Sequence, residues 1–267
     1  MTSIRRSDNF VYTEQLYDFL EKKVKEYNQA AFIKDDPIAV PHLFSAKADI
    51  EIAGFFAAIF SWGQRPVIIS KTKELMQRMD NRPYDFCLNH TDQDLKNLLS
   101  FKHRTFNTTD LLYFISFFKH HYQTHSSLET AFSKGMKNGD ADTGNGINAF
   151  CDYFFSLPDY PSRTCKHIAS PAKHSCCKRI NMFLRWMVRK DRKGVDFGIW
   201  KTIKPSQLVI PVDLHVARVA RKFDLLLRKQ TDWLAAMELT LTLKEMDPED
   251  PVKYDFALFA LGIIEKY

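Results

Sequence analysis

"CCKRINMFLRWMVR", Cys176–Arg189, and "IPVDLHVARVARKF", Ile210–Phe223, decide how this chain is read. In both, apolar residues recur at three- and four-residue spacing, which predicts one amphipathic helix over Lys178–Arg189 and another over Asp213–Phe223. The first puts a lysine in its opening turn, where the helix N-terminus carries about half a positive charge and favours anions by roughly 0.3–1 kcal/mol. Arg179 adds a second cation beside it. Both disfavour the ammonium form of Lys178 and favour the free amine, the condition for a nucleophile near neutral pH. The same helix mouth offers unpaired backbone N–H groups to a phosphate. The plain alternative is a lysine that runs along an amphipathic helix into solvent. The second stretch begins with Asp213, which follows a proline-valine pair and suits an N-cap. A capping aspartate is held rigid and ionised, as a partner for a lysine or for a developing cation must be.

The helical period extends through the rest of the chain. It predicts helices over Gln15–Tyr27, Asp49–Ser61, Val67–Met79, Thr109–Tyr122, Leu128–Lys134, Ile147–Phe155, Thr231–Met246 and Pro251–Ile264, and no comparably long stretch alternates with period two. Thr109 and Asp110 look like the start of one helix, Ser126 of another, and Asp250 like the N-cap of a last helix with Pro251 in its first turn. The expectation is an all-α fold. Breaks fall at Pro83, at "KNGDADTGNG" (137–146), at "SLPDYPSR" (156–163) and at "RKDRKGVDFG" (189–198). The Gly/Asn/Asp-rich stretch has the least to bury and is expected to be a mobile surface loop.

With 45% hydrophobic residues in 267, the chain can bury a real core as a single large domain. Its 38 Lys and Arg against 32 Asp and Glu leave a charge of +6, which suits a polyanionic partner without requiring one. Five cysteines at 87, 151, 165, 176 and 177 have no metal-ligand spacing, and their odd number argues against a closed disulfide framework. A reducing cytoplasm fits them. "MTSIRRSDNFVYTEQLYDFL" lacks the apolar core of a signal peptide, and no run approaches the roughly 20 apolar residues of a membrane span, so no membrane partner is expected.

The stretch Ile210–Phe223 resembles the "PVDxHVxRVxxR" signature of the helix-hairpin-helix (HhH-GPD) DNA glycosylase superfamily, that of endonuclease III and the 8-oxoguanine glycosylases. "DIEIAGFFAAIFSWGQR" (49–65) is similar to that superfamily's early helix and duplex-probing turn, "CCKRINMFL" to the second helix of the hairpin, and "KYDFALFALG" (253–262) to the closing helix of the base pocket. Over its length the chain resembles the bacterial DUF2400 family, which itself resembles archaeal 8-oxoguanine glycosylases. The resemblance implies one HhH-GPD-like domain of two helical subdomains with a cleft between them, its hairpin and catalytic segment near 165–223. It implies base-excision repair: Lys178 attacks the sugar C1′, Asp213 assists, and a Schiff base forms. The partner would be double-stranded DNA carrying a damaged base, met by a monomer in a bacterial cytoplasm at the nucleoid.

By the same resemblance, Met182 and Phe259 would sandwich the flipped base and Asp255 would read it, with Trp62 lining the pocket. Gln64 would fill the space the base leaves. Arg65, His174, Ser175, Cys176, Arg179, His215 and Arg218 would hold DNA, with Arg221 beside them. Spacing alone allows plainer roles: Met182 and Phe259 suit a core, and Asp255 is either on a solvated face or a buried acceptor. An ionised carboxylate accepts two donors side by side, so a guanine-type edge, 8-oxoguanine above all, is the expected lesion. The hairpin departs from the superfamily in placing His174 and Cys176 where glycines stand, and 35 residues separate Lys178 from Asp213, as in the archaeal branch. No cysteine follows Cys177, so no iron–sulfur cluster and no other cofactor is expected, with room at the hairpin for a monovalent cation only. Two other readings stay open: a non-catalytic helix-hairpin-helix protein that grips nucleic acid, and a monofunctional glycosylase for alkylated bases.

Overall fold

The computed structural model describes residues 12–267, and among them the regular structure is helical, with two isolated bridges and no strand. Met1–Val11, part of the stretch judged to lack a signal peptide, lies outside the described residues. The α-helices in chain order are α1 (Glu14–Tyr27), α2 (Ala30–Ile33), α3 (Lys47–Phe60), α4 (Arg65–Arg78), α5 (Pro83–Asn89), α6 (Asp92–Lys96), α7 (Thr108–Tyr122), α8 (Glu129–Ser133), α9 (Gly144–Phe154), α10 (Lys178–Val188), α11 (Leu214–Lys222), α12 (Trp233–Met246) and α13 (Asp255–Ile263). No helix among them is long and apolar enough to cross a membrane.

The chain divides into two compact units. One is formed by residues 33–138 and 144–169 and contains α3–α9. Its core is aromatic because α3, α7 and α9 each offer phenylalanines at helical spacing: Phe55 meets Phe114, Phe118 and Phe150 at centroid distances of 6.0, 5.7 and 5.6 Å. Glu51 is wholly buried in this core, accepting from the Ser127 and Tyr122 hydroxyls at 2.6 and 2.8 Å and from Leu128 N at 3.0 Å.

The other unit is discontinuous: residues 1–32, 139–143 and 170–267. Here α13, uncharged except for Asp255, packs against α11 on one side and α1 on the other. A Cβ added to Gly262 would stand 3.0 Å from the His215 Cβ, so glycine is what lets α11 and α13 approach closely. Ion pairs tie α1 to the C-terminal segment, Lys23 to Glu265 at 2.6 Å and Glu21 to Lys253 at 2.7 Å.

Several expectations need correction. The residue that caps α7 is Asn107, whose side chain accepts from Thr109 N and Asp110 N; Asp110 completes a reciprocal capping box instead of starting the helix. Ser126 caps nothing, since α8 begins at Glu129 after Leu128. Asp250 precedes a 3-10 turn, Pro251–Tyr254, but makes no side-chain cap, because Arg189 takes its carboxylate. The stretch 137–146 is not a free loop: Gln207 donates to Asp140 O and Lys244 to Ala141 O, while buried Gly144 and Gly146 already belong to α9. Pro83 marks not a break alone but the first turn of α5, where a missing N–H costs nothing.

Candidate active site

Lys178 is the first residue of α10, and no acidic residue shares its first turn. Asp213 is the N-cap of α11: its Oδ1 accepts from His215 N and Val216 N, both at 2.9 Å. Its other oxygen faces the lysine, with Lys178 Nζ 3.9 Å from Asp213 Oδ2. That is too long for a hydrogen bond and short enough for the charges to act on each other. Both side chains are about a quarter exposed, 25% and 23%, so the pair remains open to a substrate.

The turn before α10 brings them together. Cys176 Sγ donates to Val212 O at 3.4 Å, tying the mouth of α10 to the residue ahead of the cap. Burial raises the Cys176 thiol, and the Lys178 backbone pulls against it. Asn181, one turn into α10, donates to Cys176 O at 3.1 Å, and Ser175 Oγ accepts from Cys177 N. Left-handed backbone occurs at His174 (φ 56°) and Cys177 (φ 52°). Of the two expected glycine-like places His174 is therefore one, but the second is Cys177 and not Cys176. No α-helix lies between α9 and this turn; the segment holds two 3-10 turns, Ser162–Lys166 and Pro171–Lys173, where the resemblance implies the hairpin's first helix.

Asp255 opens α13 and is buried, 6% exposed, so it is not on a solvated face. Arg185, two turns beyond Lys178 on α10, donates from Nη1 to Asp255 Oδ2. Burial pushes the Asp255 carboxyl up to about 6, Arg185 pulls it back, and the charges of Asp213 and Lys178 both reach it. The pair continues into a buried network in which Arg185 meets Asp196 at 3.3 Å and Arg189 meets Asp196, Asp191 and Asp250 at 3.1, 2.9 and 2.9 Å. Sequence reasoning missed Arg185, Asn181 and Asp196. An arginine inside the apolar run Met182–Val188 of α10 and a lone aspartate at the start of apolar α13 were the signal, since isolated opposite charges on packed helices are most cheaply buried against each other.

Met182 and Phe259 each lie one turn beyond a charged site residue, Met182 after Lys178 and Phe259 after Asp255. Met182 is nearly buried, at 8%, whereas Phe259 is half-buried with its ring edge-on to Phe32 at 6.4 Å. Phe259 thus has the larger accessible face. Arg179 is half-buried, and desolvation lowers its affinity for its proton. Arg218 is exposed and donates to Gly262 O at 2.9 Å. Arg221 is not a free grip: it donates to Arg228 O and Lys229 O and staples the loop after α11. His215 Nδ1 is buried without a hydrogen-bond partner. Exposed His174 and half-buried Ser175 flank the α10 mouth.

Trp62, Gln64 and Arg65 belong to the other unit. Trp62 stacks on His167 at 5.8 Å and 9°, under the Arg104 guanidinium, and Gly63 (φ 113°) turns the chain so that exposed Gln64 caps α4 with its backbone. Arg65 is the first residue of α4. Among the described residues no group of three or more His, Cys, Asp or Glu side chains is placed to hold a metal ion.

A family model described as a protein of unknown function, DUF2400, matches residues 36–264. The chain belongs to the DUF2400 family. No curated protein and no solved structure matches it. In this DUF2400 protein the match runs from Asp36 in one unit to Ile264 in the other, so it takes in parts of both units and every candidate residue named above, while α1 lies before it.

Proposed function

We propose that the protein is a DNA glycosylase with an associated lyase activity. The observation that carries this reading is the placement of Lys178 Nζ 3.9 Å from Asp213 Oδ2 at the mouths of α10 and α11, in a sequence that resembles the helix-hairpin-helix glycosylases. The Lys178 amine attacks C1′ of the damaged nucleoside, the bond from C1′ to the base nitrogen breaks, and the base leaves with the electron pair and takes up a proton. Asp213, fixed by its two backbone N–H bonds, stabilises the positive charge that develops on the sugar. Loss of the amine's proton and opening of the sugar ring give the Schiff base. Elimination of the 3′-phosphate and hydrolysis then free the lysine.

The substrate class in this proposal is an oxidised purine, 8-oxoguanine foremost, stacked on Phe259 and Met182. Asp255 reads the base differently from the sequence expectation. Arg185 holds Oδ2, so the carboxylate offers a flipped base one acceptor instead of two side by side. The DNA backbone is taken by the α10 mouth with Arg179 and Arg218, by a monomer.

A second reading, a non-catalytic binder of nucleic acid, is favoured by one observation: the hairpin's first helix is reduced to 3-10 turns and non-glycine residues occupy its left-handed positions. Borohydride trapping on duplexes carrying 8-oxoguanine, an oxidised pyrimidine or an alkylated adenine decides between the two. A covalent adduct on 8-oxoguanine is the expected result. Salt-sensitive binding with neither an adduct nor a released base on any duplex establishes the binder, and no binding at all removes both.

A further inference from the structure

Far from Lys178 in the sequence, α7, α8 and α9 enclose a cavity of about 260 Å³ for which the proposed repair chemistry has no use. His121 and His125 form one wall as a parallel stack, 4.8 Å between centroids and 7° between planes. His121 is fully buried, and burial lowers its affinity for a proton to a pKa of about 4, so it is neutral. Its hydrogen bonds fix the tautomer: Nε2–H donates to Ser127 O at 3.0 Å, which leaves Nδ1 to accept from the Tyr153 hydroxyl at 3.3 Å. The ammonium of Lys134 donates to His125 Nε2 at 2.6 Å, so that ring accepts at Nε2 and has the opposite tautomer to His121, its Nδ1 facing His121 O at 3.3 Å.

These assignments determine what the cavity offers. Lys134 has three N–H bonds and spends one on His125. The remaining two, on an exposed side chain at the cavity rim, supply a single positive charge and two donors. Tyr153 and Thr130 have donated their hydroxyl hydrogens to His121 and to Ser127 O, so both present lone pairs only. The rest of the lining is apolar and small, Ala131, Gly135 and Ala149. One cation over an apolar floor matches a monoanion with a compact apolar body. A dianionic phosphate would keep one charge uncompensated against the Tyr153 and Thr130 lone pairs. The volume, just below the roughly 300–1,000 Å³ of ordinary ligand pockets, limits the occupant to a small molecule.

We infer that this cavity is a binding site for a small monocarboxylate with an aromatic or branched apolar body, its carboxylate on Lys134 and its body against Ala149 and the half-buried His125 ring, behind which His121 is stacked. The site lies wholly within the α3–α9 unit and is independent of the Lys178 reading.

Calorimetric titration of the full chain with benzoate, benzamide and inorganic phosphate tests it, with the histidine ring resonances followed by NMR. Benzoate should bind saturably and shift the His121 and His125 signals, at least about tenfold tighter than its neutral amide or phosphate, the worth of one charge-assisted contact. Lys134→Gln should weaken benzoate by a similar factor, while Lys102→Gln, at an exposed lysine elsewhere in the unit, and Lys178→Gln should bind as wild type. Absence of saturable benzoate binding overturns the proposal. So does equal affinity for benzamide, wild-type affinity in Lys134→Gln, or binding that leaves both histidine signals in place.

Discussion

Asp110 and Asp213 are both aspartates at helix N-termini, and they are spent differently. At the start of α7 both Asp110 oxygens are taken: Oδ2 accepts from Asn107 N at 2.9 Å, Oδ1 accepts from the Thr164 hydroxyl at 2.8 Å, and the Arg163 and His167 side chains lie 3.4 Å from Oδ2. Its side chain has no exposure. At the start of α11 only Oδ1 of Asp213 is committed, while Oδ2 faces Lys178 at an opening. A carboxylate with both oxygens satisfied contributes stability. One with a single oxygen satisfied is just as fixed but keeps a lone-pair face for a reacting group. The count of committed oxygens, more than the residue type, separates structure from candidate chemistry.

The largest effect that tests this contrast is expected at the open end. Lys178→Gln should abolish the borohydride adduct while leaving the DNA affinity within about threefold, because the α10 mouth remains. Persistence of the adduct would remove Lys178 from the chemistry. Asp110→Ala should then cost about 2–4 kcal/mol in denaturant unfolding, since Asn107 N, Thr164 and Arg163 lose their acceptor in a buried place. A loss under about 1 kcal/mol would mean the closed carboxylate is not what holds that end of α7.

Asp213→Asn is the direct counterpart. Asparagine caps as well as aspartate, so the unfolding midpoint should barely move while turnover falls about 100-fold. Unfolding of the variant, or wild-type turnover, would put Asp213 in the same class as Asp110. A smaller effect separates Asp255 from both. Its carboxyl is raised to about 6, above the ordinary value near 4 in the unfolded chain, so the folded protein holds this proton longer. The contribution is therefore full below about pH 4 and is lost as pH rises through about 6, at most about 3 kcal/mol. Relative to Asp255→Asn, the wild type should lose stability from pH 4 to pH 6; a difference that is flat or rises across that window would contradict this. Smallest of all, His174→Gly should stabilise the protein by about 0.5–1 kcal/mol, because glycine takes φ near 56° without strain. A loss of thermal stability would show that the His174 side chain contributes more than its backbone costs.

The helical periods of α3, α7, α10, α11 and α12 are legible in the sequence because each buries a stripe of apolar side chains, and that stripe is written at fixed spacing. Their starts are less legible, since whether Asn107 or Thr109 caps α7 depends on which oxygen reaches which N–H in three dimensions. At the site, Lys178 and Asp213 are visible through a motif, and the prediction that they meet agrees with the 3.9 Å separation. Isolated charges on apolar helices mark Arg185 and Asp255 as groups that need a partner, but that they take each other, across 70 residues, leaves no local pattern in either helix. For the same reason nothing near Cys176 announces that its thiol reaches Val212 O.

The discontinuity of the α1/α10–α13 unit has a consequence during synthesis. Helix α1 leaves the ribosome before the other described helices, yet its packing partner α13 is the last of them to be made. At about 5–20 residues per second that interval is on the order of ten seconds or more. Through it Leu20 and Val24, buried in the finished protein, have no α13 to cover them, while α3–α9 are already complete enough to collapse on their phenylalanines. The lysine-bearing unit is thus completed after the aromatic one, and a nascent chain arrested before residue 255 leaves the narrow apolar stripe of the otherwise charged α1 uncovered, the kind of surface a chaperone captures.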